Sequence, residues 1–135
     1  MRSSIVAVSI LALCGVVFAQ DAGEFQTWMK TAGATSASLR KNLEAKSSDG
    51  AAADAKKLSE TFTHVHEFFT EKKVDQAAKF AGDAQSGFEE VGKLAAAGKF
   101  DEAAATAKTT QANCGGCHMA YREKAADGTY KMKGQ

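Results

Sequence analysis

The sequence predicts an all-α fold, an antiparallel up-down-up-down four-helix bundle that follows an N-terminal signal peptide. Three observations predict it. Proline is absent from all 135 residues, so no position is barred from a helix interior. Apolar residues recur at steps of three and four in four separate stretches, with a high alanine content that favours helix. The stretches are joined by only three to six residues rich in Gly, Ser, Asp and Lys, and such short links make neighbouring helices antiparallel.

Residues 1–19 read as an export leader. Arg2 supplies the positive start, Ile5 to Val17 form an apolar run too short to span a bilayer, and Val17-Phe18-Ala19 offers a small-residue cleavage site. Cleavage is expected between Ala19 and Gln20. Leu13 is too large to precede a lipid-modified cysteine, so Cys14 leaves with the leader. The remaining domain, 20–135, has the length of one compact unit. Arg2 is the one charge lost, and the chain as a whole carries 17 basic and 16 acidic residues, so the domain is close to neutral. A neutral chain offers no basic footprint for nucleic acid and no tether to anionic lipid. No stable membrane insertion is expected after the leader is removed.

The first helix is expected from about Glu24 to Ala45, with Phe25, Met29, Ala32, Ser36, Leu39 and Leu43 along one stripe. Lys46 to Gly50 form a turn. The second helix runs from about Ala51 to Thr70 with Ala55, Leu58, Phe62, Val65 and Phe69 on its inner face. Glu71-Lys72-Lys73 connects it to a third helix starting near Val74, whose stripe is Ala77, Ala81, Ala84, Phe88, Val91 and Ala95. Gly98-Lys99 breaks that helix. Asp101 is expected to cap a fourth, reaching about Ala126, with Ala104, Ala107, Gln111, Cys114 and His118 on one side. The tail from Asp127 to Gln135 is expected to lie over the surface. Alanine dominates these stripes. Close helix packing accounts for that, and so does a large flat apolar group filling the seam.

The chemistry-bearing motif is Cys114-Gly115-Gly116-Cys117-His118, a match to the C-x-x-C-H pattern of covalent haem attachment. On a helix, residues three apart share a face, so both thiols can reach the two vinyl groups of one porphyrin edge. His118, four residues from Cys114, can turn its imidazole under the iron. Two helical glycines cost about 1 kcal/mol each relative to alanine, and close approach of the backbone to a ligand is one reason to accept that cost. The competing readings are a redox dithiol, a plain disulfide and half of a zinc site. A dithiol of the thioredoxin kind wants a βαβ context that the chain lacks. Zinc wants two further ligands, and His64 and His66 lie on a different helix.

With this motif near the end of a four-helix chain, the sequence resembles the class II c-type cytochromes, the cytochrome c′ family with its low-spin relatives. The resemblance runs from about Glu24 to Lys124. It is carried by Cys114 to Arg122 and by Gln26-Thr27-Trp28-Met29-Lys30 with Gly33 one turn on. It implies one covalent haem c on Cys114 and Cys117, with His118 as proximal iron ligand. It implies Met29 as distal ligand, since low-spin members place a Met-Lys pair there with a Gly four residues later. Arg122 would cover the proximal side or pair with a propionate, its other reading being a solvated charge at the helix end. Trp28 and Phe88 are candidates either to pack near the ring or to be ordinary core. Other occupants of the sixth position are His66, His64 or none; Met119 is on the wrong face, and Met132 lies on the tail. Two features depart from the family. Gln26 stands where a basic residue is usual, and the link between helices two and three is short.

The function implied is that of an exported, periplasmic one-electron carrier with redox-protein partners, with a homodimer through the first two helices in keeping with the family. A five-coordinate protein binding NO or CO is the alternative, and a disulfide-bonded helical interaction module a third. No Ser-His-Asp arrangement, carboxylate pair or phosphate-binding loop suggests an enzyme. Lys72, Lys73, Lys124, Lys131 and Lys133 are candidates for a partner-binding patch.

Overall fold

The structure, a computed structural model, describes residues 14–133, with side chains from Ala22 onward. Most of the expected leader therefore lies outside the described residues. Four helices follow one another: α1 Cys14–Glu44, α2 Ser48–Glu71, α3 Asp75–Ala96 and α4 Phe100–Tyr121. Two short strands, β1 Arg122–Lys124 and β2 Tyr130–Met132, then pair antiparallel, with Arg122 opposite Met132 and Lys124 opposite Tyr130. The protein is an all-α four-helix bundle with this small hairpin at its end. Among the described residues no helix is long and apolar enough to cross a membrane.

All three interhelical turns are built alike. The second residue after each helix end adopts a left-handed backbone, at Lys46 (φ 54), Lys73 (φ 57) and Gly98 (φ 74). In each, two amides bond back to the last helical turn: Ser47 to Asn42 O and Lys46 to Leu43 O, Val74 to Phe69 O and Lys73 to Thr70 O, Lys99 to Leu94 O and Gly98 to Ala95 O. This is the Schellman arrangement, which satisfies carbonyls that a helix end would otherwise leave orphaned.

The core lies chiefly between α2 and α3, where alanines bring the helices close and aromatic rings fill the rest. Ala51, Ala55, Ala77, Ala81, Ala84 and Ala95 are buried, and Phe88 is fully buried with its ring stacked on Phe62 at 5.7 Å. Phe69 meets Phe25 of α1, Phe68 and Tyr121 of α4, so one ring ties three helices together. The expected stripes of α2 and α3 are the observed buried faces. The fourth stripe needs correction. The buried residues of α4 are Ala103, Ala107 and Thr110, while Ala104 and Gln111 are exposed. The helix is thus rotated toward α3. A close approach of Gly87 to Thr110 explains the rotation, because a Cβ at Gly87 would overlap the Thr110 side chain.

The end of α4 also differs from expectation. The helix stops at Tyr121 instead of Ala126, because Arg122 turns to extended backbone (φ −103, ψ 135) and begins the hairpin. At its start, Phe100 is the first helical residue with Lys99 as the cap position, and Asp101 sits in the first turn, where its charge favours the helix dipole.

Candidate functional site

The motif occupies the last two turns of α4. Cys114, Cys117 and His118 are all half-buried, and both thiols are free. Desolvation raises the Cys114 thiol above its ordinary pKa. Cys117 is pushed up to about 11 by burial first and by the neighbouring Cys114 second. Thiols held in that way are poor nucleophiles at neutral pH, the opposite of the activated cysteine of a redox dithiol. Burial, and then the positive charge of Arg122, lower the pKa of His118. Its imidazole is therefore neutral near pH 7, with a lone pair available to a metal.

The two glycines of the motif have different surroundings. A Cβ on Gly116 would lie 2.9 Å from the Phe80 ring of α3, whereas one on Gly115 meets nothing within 4 Å. Close approach does explain Gly116, but the neighbour is a protein side chain. Gly115 faces open space, as does Gly33 on α1.

Gly115 and Gly33 are both exposed, and helical spacing sets them along the least packed pair of helices. α1 packs on α2, α2 on α3 and α3 on α4, while α1 and α4 touch sparingly. Between them runs a groove of about 450 Å³, walled by Leu39, Arg40 and Leu43 of α1 and by Ala104, Lys108 and Gln111 of α4. The helices are antiparallel. By helical spacing, Ser36, Gly33 and Met29 continue the α1 wall toward its start, and Gly115 and His118 continue the α4 wall toward its end. Gln26 confirms that these two ends are neighbours, because its Nε2 donates to the carbonyl of Tyr130 in the hairpin at 3.0 Å. Met29 is partly buried and packs against the core.

The remaining candidates lie elsewhere. Trp28 does not face α4: its ring stacks on His64 of α2 at 5.4 Å and meets the edge of Phe68. His64 is exposed and pairs with Glu67 at 3.8 Å. His66 sits between α2 and α3, its Nδ1 2.8 Å from the carbonyl of Ala78. Since a carbonyl only accepts, that nitrogen carries the proton. Phe88 is ordinary core. Arg122 lies over the Tyr130 ring at 4.1 Å, within electrostatic reach of His118. Met132, set aside in the sequence as part of a surface tail, folds back with the hairpin and packs half-buried against the core. No alternation of apolar and polar residues marks so short a strand.

Among the described residues no group of three or more His, Cys, Asp or Glu is placed to hold a metal ion. The donor set of the motif, two thiols and one imidazole, falls short of the four ligands of a closed zinc site. It does suit covalent haem: two thiols and a neutral imidazole within one helical turn and a half, beside a seam with two absent side chains. No family model matches the chain, and no similar curated protein or solved structure was found.

Proposed function

We propose that this chain is an exported one-electron carrier of the class II c-type cytochrome kind, working in the periplasm and holding a single haem c. The observation that carries the reading is the cluster of Cys114, Cys117 and His118, all half-buried, in the last two turns of α4. The two thiols would form the thioether links, His118 would be the proximal ligand, and Met29 would supply a soft, neutral thioether from the opposite wall. When bound, the haem supplies an iron centre that gains and loses one electron, and His/Met ligation raises its potential. The chain's own contribution is to hold the imidazole neutral, to half-bury it with both thiols at the end of α4, and to place a cation, Arg122, near the imidazole.

The test is covalent attachment. Protein exported from a host equipped for haem attachment should keep its visible spectrum after denaturation, with an intact mass matching polypeptide plus one haem. Cys114→Ser and Cys117→Ser together should abolish both. Colourless protein of bare polypeptide mass sinks the reading. The distal side is read separately. Carbon monoxide should change the reduced spectrum little in the native chain and greatly in Met29→Ala. A large change in both would replace the electron carrier by the five-coordinate, gas-binding alternative.

A further inference from the structure

The large apolar side chains that are exposed among the described residues are two, Met119 at 78% and Tyr130 at 50%. Both lie at the same end of the bundle, where α4 gives way to the hairpin. Met119 follows His118 in the last turn of α4, and its carbonyl accepts from the Lys133 ammonium at 2.8 Å. Tyr130 stands on the hairpin beneath the Arg122 guanidinium, and Arg122 is one turn along from Met119. Residues 119–133 include the cations Arg122, Lys124, Lys131 and Lys133 against the acids Glu123 and Asp127. Both acids are already engaged within the hairpin: Lys131 pairs with Glu123 at 3.2 Å, and Thr129 donates twice to Asp127. Lys131 and Glu123 offset each other, which leaves Arg122, Lys124 and Lys133 against the one charge of Asp127. This end therefore carries net positive charge beside two exposed apolar side chains, a mixture found at protein docking sites, with Tyr and Arg as anchors of the kind that dominate such interfaces.

We infer that the hairpin and the last turn of α4 form the docking surface for a protein partner with an acidic patch. Its complement is a partner surface with carboxylates around a small apolar area. A lipid surface fits less well. Membrane-binding segments carry basic clusters backed by a broad apolar helix face, whereas here the apolar exposure is two side chains, Met119 at the end of α4 and Tyr130 on the hairpin, in a nearly neutral chain. The inference rests on the carrier reading only in making the partner a redox protein. Charge and apolar exposure define the surface without it.

The probe is a polyglutamate peptide added to the full chain and followed by amide NMR. Shifts should concentrate at residues 119–133 and fade as salt rises. Lys124→Glu should weaken binding roughly fivefold, at the upper end for an exposed charge pair, and Met119→Gln should weaken it without altering the salt dependence. Lys41→Glu, at the far end of the bundle, should leave binding unchanged. The inference is overturned if Lys41→Glu weakens binding as much as Lys124→Glu, or if the shifts spread over the whole surface. It is equally overturned if vesicles of mixed anionic and zwitterionic lipid bind the chain and protect residues 119–133 while the peptide does not. Haem content, read by mass, decides the carrier reading independently of these outcomes.

Discussion

At the scale of single residues, the glycines separate packing from chemistry. Gly87 is required by its neighbour: a methyl there would push against Thr110, which is buried and already donates to the carbonyl of Thr106. Gly87→Ala should therefore cost about 1–3 kcal/mol through overpacking, seen as a lower denaturation midpoint. Gly115 faces open space in a helix interior, so Gly115→Ala should stabilise the bare polypeptide by up to about 1 kcal/mol. The sequence makes the motif glycines look alike, because nothing in C-G-G-C-H says which one meets α3. Asp127 offers a titration. Thr129 holds its carboxylate through the side-chain hydroxyl first and the amide second, and so lowers its pKa below 3.8. A depressed folded value means that this turn contact is fully formed above the ordinary carboxylate range and is lost as pH falls through the lower value. The Thr129 amide shift should accordingly titrate with a midpoint below that of a free aspartate.

At the scale of elements, the four helices were legible because their buried faces step in threes and fours and their turns are short. Less legible were the rotation of α4 and its end at Tyr121. Rotation depends on a small residue of α3 opposite Thr110, a tertiary fact. The strands are three residues each, too brief for alternation to register. The turns add a prediction. Two of the three left-handed positions carry lysine, which adopts that backbone at a cost, while glycine does not. Lys46→Gly and Lys73→Gly should each stabilise the fold by about 1 kcal/mol, and Gly98→Ala should destabilise it by a similar amount, all measured by chemical denaturation. Phe69 is the element-joining residue. Phe69→Ala should cost about 3–5 kcal/mol, as for other buried rings, and loosen α1 and α4 together.

At the scale of the whole molecule, the bundle is unequal. The α2–α3 pair holds most of the buried aromatic and alanine surface, whereas α1 is attached through α2 and barely through α4. Native-state hydrogen exchange should find the slowest amides around Phe62, Phe69 and Phe88, with α1 opening at lower free energy. A group bridging α1 and α4 should selectively slow the α1 amides from Met29 to Leu39. The sequence carried the motif and Met29 in plain view, since both depend on local spacing. It did not carry the placement of Trp28 and His66, which follows from how α1 and α2 lie against their neighbours.

The three tight turns have a temporal consequence as well. With every helix joined to the next by three residues, most contacts are close in sequence, and helical chains of low contact order fold in microseconds to milliseconds. Once folded, the bundle half-covers both sulfurs. Any machinery that modifies Cys114 and Cys117 is therefore in a race with collapse, and must reach the emerging chain early or catch it in a loosened state.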